Sequence, residues 1–144
     1  VAGDGPDRVR LERLAQETGL GEAVLFTGLV SEATLRELYA RCALFVMPSR
    51  GEGFGLVFVE AMRAGKPCVA LVGTAPAEIV VHGETGLLTP DEAPATLAAA
   101  LARLLGDPEA AARLGAAGRA RYLAEFTAEA FAARLRPHLD SLLP

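Results

Sequence analysis

One stretch decides the fold of this chain, residues 44–60, with the sequence LFVMPSRGEGFGLVFVE. The apolar residues 44–47 are typical of a buried strand, and Gly53 and Gly55 allow a tight backbone turn after it. No helix breaker follows until Gly65, so residues 56–64 are predicted to be a helix. The stretch therefore indicates a strand, a glycine-rich turn and a helix.

Strand-like and helix-like segments alternate on both sides of this stretch. Strands are predicted at residues 24–26, 43–47, 68–72 and 87–88. Helices are predicted from Pro6 to Gly19, from Ser31 to Cys42, at 56–64, near 78–80, and at 95–105, 108–123 and 127–143. Such alternation with short connections favours an α/β, Rossmann-like parallel sheet with helices on both faces, and the length suits one domain of residues 1–144. Ligands of such sheets bind beyond the carboxyl ends of the strands, where residues 49–55 are expected to lie.

Composition and charge exclude several classes of protein. Apolar residues make up 51% and charged residues 22%, and 18 Asp and Glu outnumber 14 Lys and Arg, so no nucleic-acid surface is predicted. No apolar stretch approaches the ~20 residues of a transmembrane span, and no export leader is visible, which favours the cytoplasm. Cys42 and Cys68 lie in apolar segments without nearby histidines, which predicts buried free thiols and no metal site.

The first residues, Val1-Ala2-Gly3-Asp4-Gly5-Pro6, are typical of the end of a strand and the turn after it. A strand of a parallel sheet is rarely left as a short exposed remnant. We therefore expect the chain to be a fragment of a longer protein, with the first strand of this domain upstream of Val1.

Glu52 and Glu60 are the candidate functional residues, one on each side of the predicted helix start. The apolar neighbours of Glu60 predict that it is largely buried, and a buried carboxylate needs hydrogen-bond donors such as ligand hydroxyls. Three interpretations remain open: exposed carboxylates without a role, a glycosidase-like acid and base pair, and a ligand clamp. Glu60 lies about 7.5 Å along the helix from Gly55, which places the two glutamates against different parts of an elongated ligand. The free N–H groups and the dipole of the helix start favour a phosphate in the turn.

This segment closely resembles the signature of the retaining glycosyltransferases of group 1, also called family 4. The resemblance is carried by residues 48–56, by Glu60-Ala61-Met62 and by Ala64-Gly65-Lys66-Pro67, and residues 1–6, 24–28, 78–80, 83–88 and 125–127 fall in the same order as in that family. It extends over essentially the whole chain and implies the C-terminal half of a GT-B fold.

The resemblance also implies a role for each residue of the site. Glu52, the candidate catalytic residue, would contact the hydroxyls of the donor sugar, and Glu60 would hold the ribose hydroxyls. The remaining donor-binding positions are those beside the sugar and diphosphate, Gly53, Phe54, Gly55, Leu56 and Val57, and those of the loop beside the base, Gly28, Leu29 and Val30. The ligand implied is a nucleoside-diphosphate sugar, with no cofactor and no metal.

Two departures from the family pattern affect the donor site. The arginine and lysine that neutralise the leaving diphosphate in the family would lie upstream of Val1, which leaves Arg50 as a candidate for the phosphates or as a structural turn residue. Many members have a glycine pair where this chain has Thr74 and Ala75. The bulkier side chains are expected to narrow the approach to the pocket.

We therefore expect a glycosyltransferase domain that binds a nucleoside-diphosphate sugar and transfers the glycosyl group to an acceptor hydroxyl with retention. The alternative is a non-catalytic nucleotide-sugar-binding module, or an inactive truncated half of such an enzyme. The family implies an N-terminal acceptor domain, in cis or in trans, and a full-length protein either in the cytoplasm or peripheral to a membrane. The last helix has apolar residues at helical spacing, Phe131, Leu135, Leu139 and Leu142. In the family the final helices reach back to the other domain, so the resemblance implies that part of this stripe is exposed and available for self-association, with ordinary core packing as the alternative.

Overall fold

A computed structural model describes residues 1–142 of the chain and divides it into two compact units, Val1–Leu38 and Tyr39 onwards. The helices are α1 Arg8–Glu17, α2 Glu32–Arg41, α3 Leu56–Arg63, α4 Pro76–Ile79, α5 Pro94–Gly106, α6 Pro108–Arg121 and α7 Ala128–Asp140. The strands are β1 Phe45–Val46, β2 Cys68–Leu71 and β3 Gly86–Thr89, and a π-helical turn covers Tyr122–Phe126. The prediction that residues 1–144 form a single nucleotide-sugar-binding domain stays a prediction.

The first unit holds α1 and the beginning of α2. Gly19, with a φ of 73°, follows the end of α1, as the sequence predicts. Ser31 caps α2 by accepting a hydrogen bond from the Thr34 N–H at 3.1 Å. The prediction of a strand at residues 24–26 is wrong, because these residues belong to no strand and the only bridges nearby are isolated ones of Ala2 and Gly3 with Gly28. Without a repeated ladder of hydrogen bonds, the segment stays irregular.

The second unit is built on a parallel sheet in the order β1-β2-β3. Phe45 of β1 lies opposite Cys68 of β2, and Val69 of β2 lies opposite Leu87 of β3. All residues of β2 are buried, as is typical of the central strand of a parallel sheet that is covered on both faces. The predicted parallel α/β sheet is therefore confirmed. Strand β1 is shorter and strand β3 is longer than the sequence predicts.

Helices pack on both faces of β2, because neighbouring side chains of a strand point in opposite directions. On one face Val69 and Leu87 form a core cluster with Leu104 of α5. On the other face the Cys68 thiol lies 4.0 Å from the carbonyl oxygen of Phe58 in α3. Burying an aliphatic or aromatic side chain fully stabilises a protein by about 1.5–3 kcal/mol, so these contacts hold α3 and α5 against the sheet.

The C-terminal part of the chain departs from the predicted helix ends by more than one residue in two places. Residues 122–123, predicted to end a helix, belong instead to the π-helical turn, in which the Phe126 ring lies 5.9 Å from the guanidinium of Arg121. The predicted last helix is α7, capped by Thr127, whose hydroxyl accepts from the Ala130 N–H at 3.1 Å. α7 ends at Asp140, three residues before the predicted end at Leu143, which itself lies outside the described residues.

The apolar side chains predicted to mediate self-association are exposed. They are Phe131, Leu135 and Leu139 of α7 and, just after it, Leu142. Exposure is a requirement for an interface but does not identify what would cover it. Self-association therefore stays a prediction.

Both cysteine thiols are free; Cys68 is buried and Cys42 is only partly buried. Burial, with a smaller effect of the nearby Cys42, raises the pKa of Cys68 to about 12. A thiol in an unfolded chain has a pKa of about 8.5, so above that pH the unfolded state loses a proton that the folded state retains. We therefore expect the Cys68 thiol to contribute a loss of stability that begins near pH 8.5 and grows towards pH 12.

Thiol labelling at pH 9 tests this expectation. In a Cys42→Ser variant, the remaining Cys68 should react with a disulfide reagent only as fast as the protein unfolds, because the reactive thiolate is disfavoured by burial. In the reciprocal Cys68→Ser variant, Cys42 should react faster from the folded state. Reaction of Cys68 at the rate of a free thiol in the native protein would contradict the expectation.

Candidate functional site

The turn between β1 and α3 is shaped by Gly55, the residue that precedes α3. Gly55 is buried and adopts the left-handed conformation, with φ 93° and ψ 44°. Its carbonyl oxygen accepts the first helical hydrogen bond, from the Phe58 N–H at 2.9 Å. A side chain on Gly55 would have its Cβ atom 3.1 Å from the Phe58 ring and 3.2 Å from Pro76, so the tight turn requires glycine.

The N–H groups of the turn and of the first turn of α3 are available to a ligand. Within residues 1–142 no acceptor pairs with the backbone N–H groups of Gly53, Phe54, Gly55, Leu56 and Val57. Phe54 and Leu56 are also more than half exposed, at 54% and 65%. A helix start with unpaired N–H groups and the positive end of the helix dipole attracts an anion. The predicted diphosphate-binding segment therefore has the donors that such a role needs.

Glu52 lies in the turn and is partly buried. Its carboxylate makes no hydrogen bond or ion pair with any residue of the described part of the chain. A carboxylate in this state accepts hydrogen bonds from hydroxyl groups of a ligand without first losing a protein partner.

Glu60 lies in α3, three residues after Val57, and is partly buried. The Tyr39 hydroxyl lies 3.1 Å from Oε2 of Glu60 and 3.2 Å from the carbonyl oxygen of Val57. Burial, followed by the nearby Glu60 charge, raises the pKa of Tyr39 well above its ordinary value, so the phenol stays protonated and donates. Tyr39 is not among the predicted site residues, because it lies 21 positions from Glu60 in the sequence and in a different helix.

The Arg50 guanidinium is paired with the Glu92 carboxylate. The Nε atom of Arg50 lies 2.8 Å from each carboxylate oxygen of Glu92, and an Nη2 atom also contacts Oε2. Hydrogen bonding to Arg50 lowers the pKa of Glu92, so the carboxylate is charged at neutral pH. Both side chains are exposed, and the pair joins the turn after β1 to the loop after β3. Any contact of Arg50 with a phosphate would compete with this pair.

The remaining predicted residues, Gly28, Leu29 and Val30, lie in the first unit. Gly28 is buried with a φ of 65°, and a Cβ atom there would lie 2.7 Å from the Arg8 guanidinium. Leu29 exposes 85% of its side chain. The contact of this loop with a nucleotide base stays a prediction.

Thr74 and Ala75, the other departure from the family pattern, lie at the start of α4. The Thr74 hydroxyl donates to the carbonyl oxygen of Leu71 at 2.8 Å, and Ala75 is the residue before α4. The side chain of Thr74 is thus turned to the backbone at the end of β2.

The described residues contain neither a metal-binding cluster nor a membrane-spanning helix. Among residues 1–142, no three His, Cys, Asp or Glu side chains come together as they would around a metal ion. None of the described helices has the length and apolar character needed to cross a bilayer.

Comparison with known proteins shows the family. The sequence model of the glycosyl transferases group 1 matches residues 1–121. The chain therefore belongs to the group 1 glycosyltransferases, and the sequence-based recognition of that family is confirmed.

Two curated relatives illustrate the range of the family. The chain is 46% identical over 109 residues to an exopolysaccharide phosphotransferase of Streptomyces coelicolor, a match of 74% of this chain and 11% of the relative. It is 36% identical over 146 residues to a GDP-mannose-dependent α-(1-6)-phosphatidylinositol monomannoside mannosyltransferase of Mycobacterium tuberculosis, a match of 96% of this chain and 38% of the relative. The chain thus spans well under half the length of these relatives.

A solved structure agrees with the fold. HepE of Anabaena, determined in complex with UDP, is 28% identical, with a TM-score of 0.87 over 97% of this chain and 40% of HepE. The same protein in complex with UDP-glucose gives a TM-score of 0.85. The parallel sheet with helices around it is therefore the Rossmann-like fold of the GT-B glycosyltransferases, as the resemblance implied.

Proposed function

We propose that this chain is the nucleotide-sugar-binding domain of a retaining glycosyltransferase, which moves a glycosyl group from a nucleoside diphosphate to an acceptor hydroxyl. The observation that carries the proposal is the row of unpaired N–H groups from Gly53 to Val57, with Glu52 before it and Glu60 after it. HepE, which has the same fold, binds UDP and UDP-glucose. The mycobacterial relative is GDP-mannose-dependent, so the identity of the base is left to experiment.

In this proposal, each part of the site binds one part of the donor. The free N–H groups bind the diphosphate, where the helix dipole adds about 0.3–1 kcal/mol. Glu60 accepts hydrogen bonds from the ribose hydroxyls, and Glu52 accepts hydrogen bonds from the sugar hydroxyls. A hydrogen bond to a charged group contributes about 1.5–3 kcal/mol, which makes the carboxylates the strongest single contacts. Arg50 is a further phosphate contact if the diphosphate displaces Glu92 from it.

The proposed chemistry relies on position and charge more than on an acid and base pair. The bond between the sugar and the β-phosphate breaks, and the departing phosphate oxygen takes the proton of the acceptor hydroxyl that attacks on the same face. The protein holds both reactants in place and stabilises the charge that develops on the phosphate through the N–H groups of the turn. The acceptor is bound by another domain, in cis or in trans, and no metal or cofactor is required.

Glutamine substitutions test the division of roles between the two carboxylates. We expect Glu60→Gln to weaken the binding of UDP or GDP about tenfold or more, because the neutral amide loses the charge-assisted hydrogen bonds to ribose. Glu52→Gln should leave the binding of the bare nucleotide unchanged and weaken only the binding of UDP-glucose or GDP-mannose. Titration calorimetry measures both affinities.

A matched control is Glu109→Gln, an exposed carboxylate in the first turn of α6. It should alter neither affinity. Equal losses of bare-nucleotide affinity in the Glu52 and Glu60 variants would show that the two roles are not divided. Absence of nucleotide binding by the wild-type protein would refute the proposed function.

The alternative function, a non-catalytic nucleotide-sugar-binding module, shares the binding site and differs only in the transfer step. A glycosyl-transfer assay distinguishes the enzyme from the binding module. It uses a radiolabelled nucleotide sugar and the polypeptide as it is produced in the cell. Labelled product supports the enzyme, whereas binding without transfer to any acceptor supports the binding module.

A further inference from the structure

We infer that Tyr39 is a positioning residue for the donor site. Its hydroxyl holds the Glu60 carboxylate in the orientation that accepts hydrogen bonds from both ribose hydroxyls. The inference rests on the proposed function, since it assigns to Tyr39 a role through Glu60. It adds a residue that lies 21 positions from Glu60 in the sequence and outside the segment between the two glutamates.

The Tyr39 hydroxyl has a single proton to donate, and the question is which acceptor receives it. Two acceptors lie within reach, Oε2 of Glu60 at 3.1 Å and the Val57 carbonyl oxygen at 3.2 Å. A hydrogen bond to a charged acceptor is about twice as strong as one to a neutral acceptor, so the proton favours the carboxylate. In the described part of the chain no other group bonds the Glu60 carboxylate, which leaves Oε1 and the second lone pair of Oε2 for a ligand.

Tyr39 can fix Glu60 because its own ring is fixed. Only 8% of Tyr39 is exposed, and its ring centroid lies 5.7 Å from that of Phe45 in β1. Phe45 in turn packs edge-on against Phe58, with centroids 5.2 Å apart. Phe58 is fully buried in α3, two residues before Glu60. The hydroxyl is therefore tied through an aromatic chain to the helix that carries the carboxylate.

Two further hydrogen bonds to backbone carbonyl groups help to fix the position of Tyr39. The Lys66 ammonium, just after α3, donates to the carbonyl oxygen of Ala40 at 2.8 Å, and the Cys42 thiol donates to the carbonyl oxygen of Tyr39 at 3.3 Å. A glutamate side chain that is free to rotate loses rotamer entropy when it is ordered. Tyr39 orders Glu60 before the ligand arrives, so less of that cost falls on binding.

A comparison of ribonucleotides with their 2′,3′-dideoxy counterparts tests the inference. We expect Tyr39→Phe to weaken the binding of UDP or GDP about tenfold and to leave the binding of the dideoxy nucleotide unchanged, because the dideoxy sugar has no hydroxyl for Glu60. Combined with Glu60→Gln, the change should add nothing further, since both variants remove the same ordered carboxylate. In an active full-length protein, the KM for the donor should rise while kcat is retained.

Tyr122→Phe is the matched control, because the sequence has 2 tyrosines and this one lies in the π-helical turn. It should bind like the wild type, and circular dichroism should show that both phenylalanine variants are folded. Equal losses for the ribonucleotide and the dideoxy nucleotide in Tyr39→Phe would show a purely structural role and overturn the inference. Unchanged binding in Tyr39→Phe, with weakened binding in Glu60→Gln, would also overturn it and leave the proposed function intact.

Discussion

Gly115→Ala is expected to lower the free energy of unfolding by about 3 kcal/mol, the upper part of the range for overpacking a protein interior. A Cβ atom at Gly115 of α6 would lie 2.1 Å from the carbonyl oxygen of Gly65 and 3.3 Å from Cδ of Pro67. The Gly65 backbone cannot move aside easily, because it forms the turn after α3 with a φ of 70°. In an isolated helix the same change would stabilise by up to about 1 kcal/mol, so tertiary contact reverses its sign.

Gly106→Ala is the matched control, since Gly106 also belongs to a helix, at the end of α5, and an added Cβ atom there meets nothing within 4 Å. We expect it to be neutral or slightly stabilising. Gly118→Ala should fall between the two, because its Cβ atom would lie 3.4 Å from the flexible side chain of Met62. Guanidinium unfolding followed by circular dichroism gives the three values, and a Gly115→Ala protein as stable as Gly106→Ala would contradict the expected effect.

Gly55→Ala is expected to damage both stability and nucleotide binding. An alanine at a φ of 93° costs about 1–2 kcal/mol in backbone strain, and its contacts of 3.1 Å with Phe58 and 3.2 Å with Pro76 add overpacking. We expect a total loss of about 2–5 kcal/mol, the sum of this strain and of about 1–3 kcal/mol for overpacking. The start of α3 must then shift, and with it the N–H groups proposed to bind the diphosphate, so the affinity for UDP or GDP should fall about tenfold or more.

Gly53→Ala serves as the control for stability in this experiment. Gly53 is exposed, has no positive φ, and leaves open space around an added Cβ atom. Its alanine variant should unfold at nearly the same denaturant concentration as the wild type. If Gly55→Ala matched that behaviour and bound nucleotide normally, the geometric account of the turn would be wrong.

Those features of the site that depend on residues close to one another in the sequence were predictable from the sequence. The strand, the turn at Gly55 and the helix α3 occur where the pattern of apolar residues and glycines predicts them. The order of Glu52, the free N–H groups and Glu60 follows from that local structure, because helix starts leave their first N–H groups unpaired. The strand predicted at residues 24–26 failed, since a strand exists only when a partner forms a ladder beside it.

Contacts between residues distant in sequence could not be predicted in the same way. Arg50 was considered for the phosphates, yet it pairs with Glu92, which lies 42 positions further along the chain. Glu60 was expected to be largely buried and to need donors such as ligand hydroxyls, and in the structure it is partly exposed and bonded to the Tyr39 hydroxyl. A tyrosine on an apolar helix face is an indication of such a contact, because a buried phenol usually finds an acceptor.

The sequence by itself determined the class of fold, the family and the segment that carries the proposed donor site, because periodicity, turn residues and residue spacing act over a few positions. Only the tertiary structure decided how that segment is supported: which hydroxyl holds Glu60, which carboxylate holds Arg50, and why Gly115 must lack a side chain. These contacts depend on how helices and strands pack, and packing is set by the shapes of many distant side chains together. Their effects on binding and stability are therefore visible only in three dimensions.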